Sequence, residues 1–535
     1  MDPKNVQAIL ANNFGTFDLG PQRAGMFWPM LGNGIFTQSA KDWKHSRELM
    51  RPQFTRDQVS DLELEEQHLQ NMMSALDDRI QPDGWTNLVD LQVLFFRLTL
   101  DSATEFLLGE SADSQLQNIP GYSKKLNSAE DIHNIDFAFH FDRGQAGLAT
   151  RVHFGPLYWI YSSAAFRESV RQCNMFMDHY VKRALNKDLR EKPVEQHGKP
   201  KYVFLDALAE QTQDPIELRS QLMHILLAGR DTTASMLGWL FFLLARDPAR
   251  YQKLRNIVIE EFGTFARPKE ITFARLKACQ YLQHCNNETL RLYPVVPINS
   301  RWAYKDTVLP TGGGPNGTDP VFVPKNSAVD YCVYVTQRRK DIWGPDADEF
   351  RPERWEGRKV GWEYLPFNGG PRICLGQQFA LTESSYVTVR LLQRFDAIEN
   401  LERDPDANGN PEKWRYEMWF FSEDKINYAI HGGPMAGRIN YQTCQYQETG
   451  TVCSLVYDIP NRKISTLISF SKGHWEHPQE AHGDKRKPED FERWRGLAKL
   501  GHQSERFMLS EQADIKEVFK GAGDPVPIER DVVTI

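Results

Sequence analysis

Between about residues 60 and 300 apolar side chains return every three to four positions, with Pro, Gly and Asn between the segments. That period predicts a mainly helical body. The longest such pattern covers residues 222–246, and its most apolar run, residues 234–245, falls short of the about 20 residues a bilayer span requires. It continues directly from His224, Arg230 and Asp231, so it predicts a long, mostly buried helix of a soluble body. Strand patterns are local: residues 331–336, and residues 321–324 after the Gly312-Gly313-Gly314-Pro315-Asn316-Gly317 turn cluster. The expected fold class is mainly α with small β-sheets.

The pattern changes after about residue 435. Residues 451–459 and 463–470 predict two strands around Pro460-Asn461-Arg462, followed by a charged segment with Phe491, Trp494 and Leu497 at helical spacing. The chain is therefore divided into a body, residues 1–435, and a tail, residues 436–535, to which no chemistry attaches.

Composition narrows the function class. The chain is 41% apolar, 12% aromatic and 25% charged, as a globular protein with a sizeable core would be. Its net charge of −7 disfavours a dedicated nucleic-acid binder. Seven scattered cysteines form neither a disulfide framework nor a paired-cysteine zinc pattern, which fits a reducing compartment. Met1-Asp2-Pro3-Lys4 does not begin a signal peptide, because no apolar stretch follows the first charges.

The most informative stretch is Phe367-Asn368-Gly369-Gly370-Pro371-Arg372-Ile373-Cys374-Leu375-Gly376. Glycines let a backbone approach a flat macrocycle, and amide groups aimed at a thiolate stabilise its charge. Cys374 is thus suited to ligate iron, Arg372 to meet an anionic propionate, and Phe367 to shield the sulfur. Gly370 and Gly376 supply the loop. An inert cysteine in a turn is the plainer alternative.

Within the long helical pattern, Ala228-Gly229-Arg230-Asp231-Thr232-Thr233 weakens the hydrogen-bond ladder. A Thr232 hydroxyl bonding back to Ala228 would open a groove, and Asp231 with Thr232 would form a proton route. Standing alone, a Thr-rich buried helix face explains the same residues. Glu288 and Arg291 form an i, i+3 pair, and Arg354 lies in Phe350-Arg351-Pro352-Glu353-Arg354-Trp355 just before the cysteine loop. A structural carboxylate–guanidinium network is expected there. Trp43 and Arg47 put two donors on one helical face, suited to a carboxylate. Arg301 is a weaker candidate for a second one, and His45 is a solvent or core histidine.

These four motifs, in this order, resemble the cytochromes P450, the haem-thiolate monooxygenases, over residues 1–418. The resemblance implies the P450 fold, haem b (iron protoporphyrin IX) as cofactor and Cys374 as its axial thiolate. It further implies Asp231 and Thr232 as the proton-delivery pair, Glu288, Arg291 and Arg354 as the structural triad, and Trp43, Arg47 and Arg372 at the propionates. The wording of the segments is most similar to the fungal branch that hydroxylates n-alkanes and fatty acids. One oxygen atom of O2 then enters a C–H bond and the other leaves as water. No dinucleotide or phosphate-loop motif is present, so electrons are expected from NADPH through a separate flavoprotein reductase. Arg338, Arg339, Lys340, Arg358 and Lys359 are a candidate surface for it, an ordinary solvated charge run being the alternative. Leu227, Ala228, Val295, Val296 and Pro297 are candidate pocket walls.

Members of that family usually start with a membrane anchor that places them on the cytosolic face of the endoplasmic reticulum. This chain is expected to lack such an anchor, because Asp2-Pro3-Lys4-Asn5-Val6-Gln7 looks like a segment the family carries further in. After about Met418 the usual closing hairpin is expected to be replaced by unrelated sequence. The expected fold is therefore incomplete at both ends, and a non-catalytic haem-binding remnant or a mis-predicted gene product is the competing reading.

Overall fold

The computed structural model describes residues 2–55, 62–116, 136–186 and 202–400, a two-residue strand pair at 195–196 and 199–200, and six strands beyond residue 400. The chain divides into two units, Met1–Asn400 and Leu401–Ile535.

In the first unit a short helix, Pro3–Gln7, runs into one wide helical turn, Ala8–Asn12, and then a two-residue strand β1 (Phe17–Asp18). The principal helices are α1 (Pro21–Leu31), α2 (Ala40–Met50), α3 (Glu63–Asp77), α4 (Leu91–Leu108), α5 (Phe137–His153), α6 (Ala164–Leu185), α7 (Pro215–Ala245), α8 (Pro248–Phe262), α9 (Gln280–Leu292) and α10 (Gln377–Arg394). Many start on a side-chain cap. For α7, Asp214 accepts from the Ile216 amide at 2.9 Å and Pro215 fills the first turn, where its missing N–H costs nothing.

Helix α7 joins two apolar clusters. Its first half buries Leu218, Leu222, Met223 and Leu226 among Phe137, Phe141, Phe166 and Phe176 of α5 and α6. Its second half buries Ala234, Leu237, Leu240, Phe241 and Leu244 with residues of α3, α8 and α10. Each fully buried Leu or Phe contributes about 1.5–3 kcal/mol, so α7 is anchored firmly at both ends. The segment with Gly229, Asp231 and Thr232, partly exposed, falls between the clusters.

Strands β2 (Ile298–Ala303) and β5 (Ala328–Cys332) complete an antiparallel sheet in the order β1, β2, β5, with β3 (Thr307–Gly313) and β4 (Asp319–Val323) as a separate hairpin between them in sequence. Asp18 stands opposite Trp302, next to Arg301. The strand expected at residues 331–336 is corrected: β5 stops at Cys332 and Val333–Thr336 form a helical turn, closed by the Gln337 amide on the Val333 carbonyl at 2.9 Å. The alternation of Val333 and Val335 reflects one buried and one exposed position on that turn. The strand expected at residues 321–324 is the end of β4.

In the second unit β6 (Tyr416–Ser422), β7 (Lys425–Ile430) and β8 (Ile439–Thr443) form one antiparallel sheet. Strands β6 and β7 form a hairpin around Met418, with Tyr416 opposite Ile430. Strands β9 (Val452–Asp458), β10 (Lys463–Lys472) and β11 (Glu505–Asp514) form a second sheet. Asp458 pairs with Lys463, so Pro460-Asn461-Arg462 lies in the turn as expected. The segment with Phe491, Trp494 and Leu497 lies outside the described residues.

Candidate active site

Cys374 sits two residues before Gly376, the residue that opens α10, so the positive end of that helix dipole is beside its sulfur. The loop before it is shaped by three backbone bonds: Asn368 to Leu365 at 3.1 Å, Ile373 to Gly370 at 3.1 Å and Cys374 to Phe367 at 3.0 Å. Gly370 has φ +68°, and a Cβ there would stand 2.0 Å from the Leu10 carbonyl. Only glycine fits, because the wide turn Ala8–Asn12 presses directly on the loop. Cys374 is exposed. Desolvation raises its thiol pKa, opposed by the Gly376 amide and the Arg47 charge.

Beside this loop four arginines converge. Arg372 bonds the Asp18 carboxylate at 2.5 Å and the Gln38 carbonyl at 3.1 Å, and its guanidinium lies 4.3 Å from the Trp43 ring centroid. Arg47 donates to the Ile373 carbonyl at 3.0 Å and lies 5.8 Å from the same ring. Arg301 is buried and faces the Tyr331 ring. Arg23, which the sequence reading missed, donates to the Phe36 carbonyl at 2.9 Å. Burial and mutual repulsion push Arg372 and Arg23 down to about 10, with Asp18 the anion that opposes this at Arg372. Arg372 Nε is buried without a hydrogen-bond partner. The cluster holds more positive charge than the surrounding protein neutralises.

On α7 the Thr232 hydroxyl donates to the Ala228 carbonyl at 2.6 Å, the back-bond expected from the sequence, while the helix stays continuous. Asp231 accepts from Arg230 at 3.1 Å, and Arg230 also pairs with Asp142 of α5. Burial, reinforced by Asp142 and offset by Arg230 and Gln145, raises the Asp231 carboxyl to about 6.

The three triad candidates meet in the core. Glu288 takes a two-pronged contact from Arg291, both bonds 2.8 Å, and a third bond from Arg354 at 3.1 Å. The Trp355 indole at 3.0 Å and the Arg351 amide at 3.0 Å complete the shell. Arg291 and Arg354 spend their other donors on carbonyls of Gln337, Ala347, Trp343 and Asp346. The network thus ties α9 to the chain leading into the cysteine loop. His45 is exposed and pairs with Glu217 at 2.8 Å, outside the cluster. The basic run is less free than its sequence suggests: Arg338 bonds Asp348, Arg339 bonds Asp341, and Arg358 stacks on Trp343. Among the candidate pocket walls, Leu227, Ala228 and Val295 are partly buried, and Val296 and Pro297 are exposed.

The family model for cytochrome P450 matches residues 1–414. The chain belongs to the cytochrome P450 family. It is 63% identical over 412 residues to cytochrome P450 monooxygenase g430 of a Fusarium species, covering 76% of this chain and 72% of that protein. It is 48% identical over 417 residues to cytochrome P450 52A10 of Candida maltosa (77% and 78%), and 46% identical over 419 residues to cytochrome P450 monooxygenase alt2 of Alternaria solani (76% and 77%). As a cytochrome P450 it is a haem-iron monooxygenase that incorporates oxygen from O2, with a redox partner reductase and an apolar substrate.

The residues present fit a haem. An exposed sulfur at a helix N-terminus, beside an arginine cluster with surplus charge and an unpartnered buried Nε, offers one soft ligand and several carboxylate donors. Among the described residues no helix is long and apolar enough to cross a membrane.

Proposed function

We propose that this cytochrome P450 hydroxylates long-chain n-alkanes or fatty acids, using haem b held by Cys374 and electrons from NADPH through a separate flavoprotein reductase. The observation that carries the site assignment is the meeting of Cys374, the four arginines and Trp43 beside one loop, with Asp231 and Thr232 midway along α7. The similarity to cytochrome P450 52A10 of Candida maltosa supports the substrate class. The bound haem supplies reduction of O2 and transfer of one oxygen atom to a C–H bond, with the other released as water.

The chain's own residues supply the rest. Arg23, Arg47, Arg301, Arg372 and the Trp43 indole hold the two propionates; Phe367, Gly370 and Gly376 shape the loop over the sulfur. Asp231, raised to about 6, can gain and lose a proton near neutral pH and passes it toward the Thr232 hydroxyl. Glu288, Arg291 and Arg354 are structural. The haem domain is residues 1–435, and the protein works on the cytosolic face of the endoplasmic reticulum, as its family does.

The test is turnover of n-dodecane and lauric acid by haem-loaded protein with an NADPH-dependent reductase, products resolved by gas chromatography and mass spectrometry. Hydroxylated products requiring both NADPH and reductase support the reading. Haem-loaded protein that consumes NADPH without hydroxylating either compound contradicts the substrate class.

A further inference from the structure

Residues 32–37 lie flat on the first half of α7, because two glycines allow it. A Cβ on Gly32, whose φ is +66°, would stand 2.4 Å from Ser220 Oγ, and one on Gly34 would stand 2.6 Å from the His224 ring. The segment is tied to itself by Thr37, whose hydroxyl accepts from the Gly34 amide at 3.0 Å and donates to the Gly32 carbonyl at 2.9 Å. Its Phe36 peptide is then held from both sides. The carbonyl accepts from Arg23 of the arginine cluster at 2.9 Å, and the N–H donates to His224 Nδ1 at 3.2 Å. The Phe36 and His224 rings also stack, 5.4 Å between centroids. His224 is fully buried, and Ala228 and Thr232 follow it one and two helical turns later.

We propose that His224 is a positioning residue: it clamps the Phe36 peptide so that residues 32–37 form a fixed wall between the arginine cluster and the oxygen-side stretch of α7. The clamp uses the neutral imidazole, whose Nδ1 lone pair accepts while the proton sits on Nε2. Burial pushes this histidine down to about 3, so it remains an acceptor throughout the physiological range. The wall fixes how far along an extended apolar chain the reacting carbon stands, which makes His224 a determinant of regiochemistry. This rests on the haem-site reading above.

His224→Asn places an amide oxygen where Nδ1 was, whereas His224→Phe keeps an aromatic ring and removes the acceptor. Two measurements on full-length protein separate the possibilities. The first is hydrogen exchange at the Phe36 amide, which needs no haem. Protection should persist in the parent and His224→Asn and fall about tenfold in His224→Phe, as expected for loss of one buried hydrogen bond. The second is the lauric acid-induced spin-state shift and product pattern of haem-loaded protein. His224→Phe should weaken binding about fivefold and spread hydroxylation inward along the chain, while His224→Asn stays near the parent.

Equal Phe36 exchange in all three proteins overturns the clamp. Unchanged products in a His224→Phe protein that keeps its thiolate spectrum overturn the regiochemical role. Should His224→Phe fail to load haem, Thr37→Val decides, because it loosens the same segment without touching α7 and should shift products alike; an unshifted pattern there overturns the role. A parent protein without a thiolate spectrum defeats the haem-site reading instead, and the exchange result still decides the clamp.

Discussion

Single side chains carry the chemistry, and two of them give sharp tests. Asp231 is lifted by burial from 3.8 to about 6, so between those values the folded chain holds a proton that the unfolded chain has lost. Folding stability therefore falls as pH rises through that window. Asp231→Asn cannot ionise, so its melting temperature should climb relative to the parent between about pH 4 and about pH 6; a flat or shrinking difference contradicts the buried carboxyl. The same variant should slow reductase-driven turnover by roughly 100-fold and spare peroxide-driven turnover, and equal losses would remove the proton role. Glu288→Gln leaves two buried guanidiniums facing a neutral amide and should cost about 3–5 kcal/mol in chemical denaturation. A loss below about 1 kcal/mol would show that the network does not brace the core. Residues 288 and 291 were legible because helical spacing sets them on one face. Asp18 and Arg23 were not: Asp18 meets Arg372 across 354 positions, and no local pattern encodes such a contact.

Among elements, α7 was the most legible, since its apolar period and its mid-helix Gly and Thr are both local properties. Its role as the seam between two clusters was hidden, because that depends on which helices pack against each half. The turn after β5 was misread because a two-residue alternation cannot tell a strand end from the first turn of a short helix. The cysteine loop shows how an element depends on a distant one. Gly370→Ala must place a methyl group against the Leu10 carbonyl at a positive φ, so the loop or the turn Ala8–Asn12 must move. The expected result is normal helical circular dichroism with at least about tenfold weaker haem retention, from roughly 1.4 kcal/mol or more of strain at the site. Haem binding equal to the parent would show that this contact does not set the loop.

For the whole molecule, two large apolar clusters, two smaller ones and a small sheet fall within residues 1–400, and the family match extends to residue 414. The sequence reading put the end of the body at residue 435 from composition alone. Limited proteolysis of the haem-loaded chain should leave a large fragment ending near residue 435 with an unchanged haem spectrum. Loss of the spectrum on that cut would place part of the haem domain beyond it.

The central claim is that Cys374 ligates haem iron as a thiolate. Its direct test is the carbon-monoxide difference spectrum of the dithionite-reduced, haem-loaded protein, with Cys374→Ala measured beside it. A strongly red-shifted Soret band in the parent, absent from the variant, is the predicted result. The same band in both proteins, or in neither, would contradict it.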